Sequence, residues 1–74
     1  MMYYANFNAD GTSFSTFLTD TNKSRLYKDI REIAKGNCKA NGTAGFWITN
    51  EWGKTILTGF VKSGRVVKVE RINY

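Results

Sequence analysis

The chain is 74 residues long, with one cysteine, no histidine and no proline. A chain of this size buries only about 60% of the surface it exposes when unfolded, so it holds one small core, and one domain over residues 1–74 is expected. Eleven Lys and Arg against six Asp and Glu leave a net charge of +5, while the missing histidine and lone thiol exclude a zinc site, a disulfide framework and any His-based nucleophile pair within one chain.

The first element is a hairpin. Asp10-Gly11 separates two alternating stretches, and Asp-Gly suits a two-residue type I′ turn because both positions need positive φ. With Ala9 opposite Thr12, the two-residue period places Tyr3, Ala5, Phe7, Phe14, Thr16 and Leu18 on a core face and Asn6, Asn8, Ser13 and Ser15 on the other.

The period then changes to that of a helix. Leu26, Tyr27, Ile30, Ile33 and Ala34 fall on one stripe, with Arg25, Lys28, Arg31, Glu32 and Lys35 pointing away. Asp20, Thr21 and Asn22 are all able N-caps, and Gly36-Asn37 supplies a left-handed stop, so the helix is expected over about 22–35. Asp29 and Glu32 stand three apart, but Arg25 and Lys28 lie four residues before them; ordinary exposed ion pairs account for the carboxylates without catalysis.

After a loop over 37–43, three strands are expected near 44–50, 54–62 and 65–73, forming a meander. Ser63-Gly64 makes a two-residue hairpin with Lys62 opposite Arg65, and Glu51-Trp52-Gly53 fits a three-residue loop with glycine in the left-handed position. Carried through these turns, alternation places Phe46, Ile48, Ile56, Thr58, Phe60, Val67 and Val69 under the helix. Trp47, Leu57, Val61, Val66, Ile72 and Tyr74 fall on the open face with Gly59, Lys68 and Glu70. The fold class is therefore α+β in two layers, ββαβββ in order, with the hairpin and the meander in one sheet and the single helix on one side.

The motifs that could carry chemistry fail on context. Gly53-Lys54-Thr55 resembles the tail of a phosphate-binding loop, but Ile48 stands where that loop needs glycine, and a strand rather than a helix follows. Gly42-Thr43-Ala44-Gly45 matches a bare GxxG, which clamps a nucleic-acid backbone only between helices. With no acid-base couple, no enzymatic activity, cofactor, metal or small-molecule substrate is expected. The apolar stretches are too short to span a membrane and the start lacks a leader pattern, so a cytoplasmic protein with a free Cys38 is expected.

Two binding readings remain. The first is a non-enzymatic interaction module that meets another protein, or a second copy of itself, through an open apolar strip of Trp47, Leu57, Val61, Val66, Ile72 and Tyr74; small inhibitors carried by phages or mobile elements fit such a profile. The second is a basic nucleic-acid-binding protein that contacts phosphates weakly through Lys23, Arg25, Lys28, Arg31 and Lys35 on the helix and Lys54, Lys62 and Arg65 at strand ends. Two acids and no base precede Lys23, leaving −2 there, and eleven bases against four acids leave +7 from Lys23 onward. An interface wants contiguous apolar area, whereas a nucleic-acid site wants cations interleaved with aromatics on one surface. The alternation separates aromatics from most of the charge, which favours the first reading.

Overall fold

Tyr3–Ala9 (β1) and Thr12–Asp20 (β2) form the opening hairpin with Ala9 opposite Thr12, as the turn residues dictate, in a computed structural model that describes residues 1–9 and 11–72. Gly11 has φ of +80°, which the turn requires, while Asp10 lies outside the described residues. The register holds through Phe7 opposite Phe14 and then slips: Ala5 faces Leu18, so Ser15, Thr16 and Phe17 bulge out against Asn6 alone. Thr16, expected on the core face, is instead exposed in the left-handed region at φ +53°. Its N–H donates to Asn6 Oδ1 at 2.7 Å, and Asn6 Nδ2 donates to the carbonyls of Trp47 and Tyr4 at 3.2 and 3.4 Å. Asn6 is thus a buried polar side chain whose hydrogen bonds tie the bulge to the centre of the sheet.

The helix (α1) runs Lys23–Gly36 with Leu26, Ile30 and Ala34 buried and Tyr27 and Ile33 half-buried, the stripe that its period indicates. Asn22 is the N-cap, its Oδ1 accepting from the Arg25 N–H at 3.0 Å. The expected left-handed stop is not used. Gly36 stays helical, and Asn37, at φ −98° and ψ 0°, closes the helix by donating from both its backbone N–H (3.1 Å) and its Nδ2 (2.8 Å) to the Ile33 carbonyl. Ile30 sits at the centre of the packed stripe, so Ile30→Ala is expected to cost about 2–5 kcal/mol in a urea melt; a loss below about 1 kcal/mol would remove it from the core.

Thr43–Thr49 (β3), Thr55–Lys62 (β4) and Arg65–Arg71 (β5) complete one antiparallel five-stranded sheet, ordered β2-β1-β3-β4-β5, with α1 packed on one side. The α+β, two-layer architecture follows the expected one. Both meander turns form as read: Asn50 and Lys54 close the three-residue loop at 2.9 Å with Gly53 at φ +78°, and Ser63 and Gly64 both have positive φ with Lys62 opposite Arg65.

The facing of β4 differs from the alternation. Thr49 pairs with Thr55, but Ile48 pairs with Leu57, leaving Ile56 as an extra residue. One inserted residue moves every later side chain to the opposite face. Leu57, Gly59 and Val61 therefore lie under the helix with Ala5, Phe7, Ala44, Phe46 and Ile48, whereas Thr58 and Phe60, expected in the core, face outward. Val66 follows Val61 inward. A second bulge at Val67 then restores the parity of β5, so that Val69 packs against the core while Lys68 and Glu70 point out. Val67, also expected in the core, is 57% exposed. Phe14 keeps the helix side through its stacking on Phe7 (centroids 4.8 Å apart), but lies at the sheet edge and is 41% exposed.

Candidate functional site

The bulge at Ile56 dissolves the expected apolar strip. Leu57 and Val61 are 3% and 0% exposed beneath the helix, Val66 packs against the same core, Ile72 is exposed beyond the end of β5, and Tyr74 lies outside the described residues. Of the six residues, Trp47 alone has a place on the open face of the sheet, where its neighbours Phe46 and Ile48 bury on the other side.

The ladder pairings assemble a different surface there. One row across the sheet reads Asn6, Trp47, Thr58, Glu70; the next reads Ser13, Asn8, Gly45, Phe60, Lys68; and the last holds Thr43, Lys62 and Arg65. Phe60, 43% exposed, stands one step diagonally from half-buried Trp47 and directly opposite Lys68. Gly45 carries no side chain between them, and a Cβ there would meet Asn8 Oδ1 at 2.9 Å, so Asn8 lies across that position. Tyr4, paired with Thr49, is half-buried at the far end. Alternation had separated the aromatics from the cations, but the folded sheet places Trp47 and Phe60 on one face with Lys62, Arg65 and Lys68. Phe60 was missed because its strand was read in the wrong parity, and Lys68 because it was read beside an apolar strip.

Charge on this face is lightly compensated. Glu70 approaches Lys68 Nζ at 3.8 Å, with both side chains well exposed, an arrangement that contributes little and is readily exchanged for another anion. Cations on the helix are more committed. Arg25 pairs with Asp20 rather than with Asp29, its Nη2 donating to Oδ1 at 2.6 Å and its Nε to Oδ2. This bond, helped by the Asn22 N–H, holds the Asp20 carboxyl far below the usual carboxylate range, and the carboxylate in turn raises the Arg25 pKa. Glu32 pairs with Lys35 at 3.3 Å instead of with Lys28. Arg31 lies half-buried along the helix flank with a buried Nε that has no hydrogen-bond partner among the described residues. Of the five helix cations named from the sequence, Lys23, Lys28 and Arg31 join no ion pair among the described residues, and of these Lys23 and Lys28 are exposed. Lys54 sits in the β3–β4 loop, away from the cations of the β4–β5 turn.

Cys38 is a free thiol whose sulfur lies 3.4 Å from both the Gly42 carbonyl and the Gly64 N–H, holding the loop after the helix against the β4–β5 turn. Among the described residues no group of three His, Cys, Asp or Glu side chains is gathered as a metal site would need, and no helix is long and apolar enough to cross a membrane. The open face is therefore defined by its own geometry, because no family model, curated protein or solved structure matches the chain.

Proposed function

We propose that the chain is a non-enzymatic, cytoplasmic binding module whose open sheet face takes single-stranded nucleic acid without strong sequence preference. The observation that carries this reading is the placing of Trp47 and Phe60 on the same face as Lys62, Arg65 and Lys68. Unpaired bases present flat apolar faces that stack on aromatic rings, about 1–3 kcal/mol per base, while phosphates follow a neighbouring row of cations. Thr58, Asn8 and Ser13 supply small polar groups around the rings, compatible with a strand lying across a sheet. A duplex, whose bases are stacked inside, gains only the phosphate part of this interaction.

The test is a titration of twelve-nucleotide oligothymidine, oligouridine and a duplex of the same length, read by tryptophan fluorescence in a Trp52→Phe background so that Trp47 reports alone. The single strands are expected to bind more tightly than the duplex. Phe60→Ala should weaken them about 5- to 100-fold, the range of one lost base stack, and changing Lys62, Arg65 and Lys68 to Gln should flatten the salt dependence. Equal affinity for duplex and single strand, lost on changing Lys28 and Arg31 rather than Phe60, would move the site to the helix.

A second reading, contact with a protein or a second copy, is favoured by a separate feature. Phe14 and Phe17, 41% and 47% exposed, cluster against Phe7 on the edge strand β2, which carries no charge from Thr12 to Thr19. Such an edge is open to strand pairing. A sedimenting dimer that Phe17→Ser dissolves, combined with no oligonucleotide binding, would put the function there.

A further inference from the structure

On the helix side of the sheet, away from the open face, a groove of about 380 Å³ opens between the start of α1 and the ends of β4 and β5. Its volume falls in the range of about 300–1,000 Å³ typical of small-molecule sites. Ile56 and Leu57 line it with apolar surface, Tyr3 and Tyr27 contribute aromatic side chains, and Lys23 and Arg71 are the charged side chains among the described residues that line it. The bulge that removes Leu57 from the open face is also what brings Ile56 and Leu57 to this groove together.

Neither cation is spent on the protein's own carboxylates: among the described residues the ion pairs are Arg25 with Asp20, Lys35 with Glu32 and Lys68 with Glu70. Arg71 is held instead over the Tyr27 ring, its guanidinium carbon 5.7 Å from the centroid. An arginine carried on an aromatic ring keeps its N–H donors for a planar anion, because the ring engages the face of the guanidinium and not its edge. Two uncompensated positive charges in one groove repel metal ions and favour an anion, while the apolar residues between them favour a ligand with a hydrophobic body.

We propose that this groove binds a small amphipathic organic anion, an aryl or short alkyl phosphate or carboxylate, with its head group between Lys23 and Arg71 and its body against Ile56 and Leu57. The site is separate from the open face, so it stands or falls independently of nucleic-acid binding.

The experiment titrates phenyl phosphate, phenylacetate, phenol and inorganic phosphate separately into the isotopically labelled full chain, following backbone amide shifts. One of the two aryl anions is expected to saturate with a Kd of about 1 mM or tighter, in keeping with its size, shifting Tyr27, Ile56, Leu57 and Arg71, and the tighter of the two identifies the head group. Phenol and inorganic phosphate should each bind at least about tenfold more weakly, the worth of one charge-assisted contact or of the apolar body. Lys23→Gln and Arg71→Gln should each lower affinity by a similar factor, and Phe60→Ala should leave it unchanged. Should Arg71→Gln disturb the fold through Tyr27, Lys23→Gln decides, since Lys23 takes part in no ion pair among the described residues. No saturable shift up to 10-fold above that Kd, phenol binding as tightly as the anions, or an unchanged affinity in Lys23→Gln would each overturn the assignment.

Discussion

Leu57→Lys is expected to unfold the protein at 25 °C, whereas Thr58→Lys, one residue along the same strand, should leave it folded. Leu57 is 3% exposed and pairs with Ile48 beneath the helix, with no carboxylate in the buried cluster to meet an ammonium. An unpaired buried charge costs several kcal/mol even after relaxation, and a domain of this length has only about 4–11 kcal/mol in total. Thr58 faces outward beside Trp47, where a lysine stays solvated and the change should fall within about 1 kcal/mol. Circular dichroism and thermal melts of the two variants check this directly. The pair also tests the bulge at Ile56, because an unbulged β4 would reverse the outcome: Thr58→Lys would then be lethal to the fold and Leu57→Lys benign.

Gly59→Ala should be the most damaging single-methyl change in the chain. Gly59 pairs with Phe46 across β3 and β4, and the Phe46 ring lies flat over it: an added Cβ would come within 2.0–2.4 Å of three ring carbons. Phe46 is 1% exposed and among the largest fully buried side chains, so the ring has no free space into which to swing. Overpacking of this kind costs about 3 kcal/mol or more. In urea denaturation Phe46→Leu should destabilise the parent chain, yet cost less, or even restore stability, in the Gly59→Ala background, with a coupling of about 1–3 kcal/mol. Additive losses within about 0.5 kcal/mol would mean that ring and glycine do not meet.

Both predictions turn on the strand where alternation and structure part. Away from the bulges in β2, β4 and β5 and the helix C-terminus, the residues carry their own instructions. A helix repeats every 3.6 residues and a tight turn needs positive φ at set positions, so Leu26, Ile30 and Ala34 and the Ser63-Gly64 turn could be placed locally, and the N-cap narrowed to Asp20, Thr21 or Asn22. The Asn50–Lys54 loop also formed as its glycine requires. Ile56 is different: a β-bulge needs no proline, glycine or polar marker, and Thr55-Ile56-Leu57-Thr58 offers an apolar residue to the core in either parity. What tips the balance is non-local. With the bulge, Gly59 meets the Phe46 ring and Val61 meets Ala44, filling the space under the helix; without it, Phe60 would have to enter where Val61 now fits.

Composition and local pattern by themselves determined the α+β class, the ββαβββ order, the helix and its buried stripe, and the turn that sets Lys62 against Arg65, because each rests on contacts within a few residues. The tertiary structure alone decided which face Leu57, Phe60, Val61 and Val66 occupy, and with that whether the open sheet is an apolar strip or an aromatic and cationic platform. It also decided that Arg25 joins Asp20 and that Lys23 and Arg71 share a groove. The physical reason is common to all of these: strand parity past a bulge is set by how side chains on different elements fill a shared core, as Gly59 and Val61 do with Phe46 and Ala44, and local periodicity carries no information about those partners.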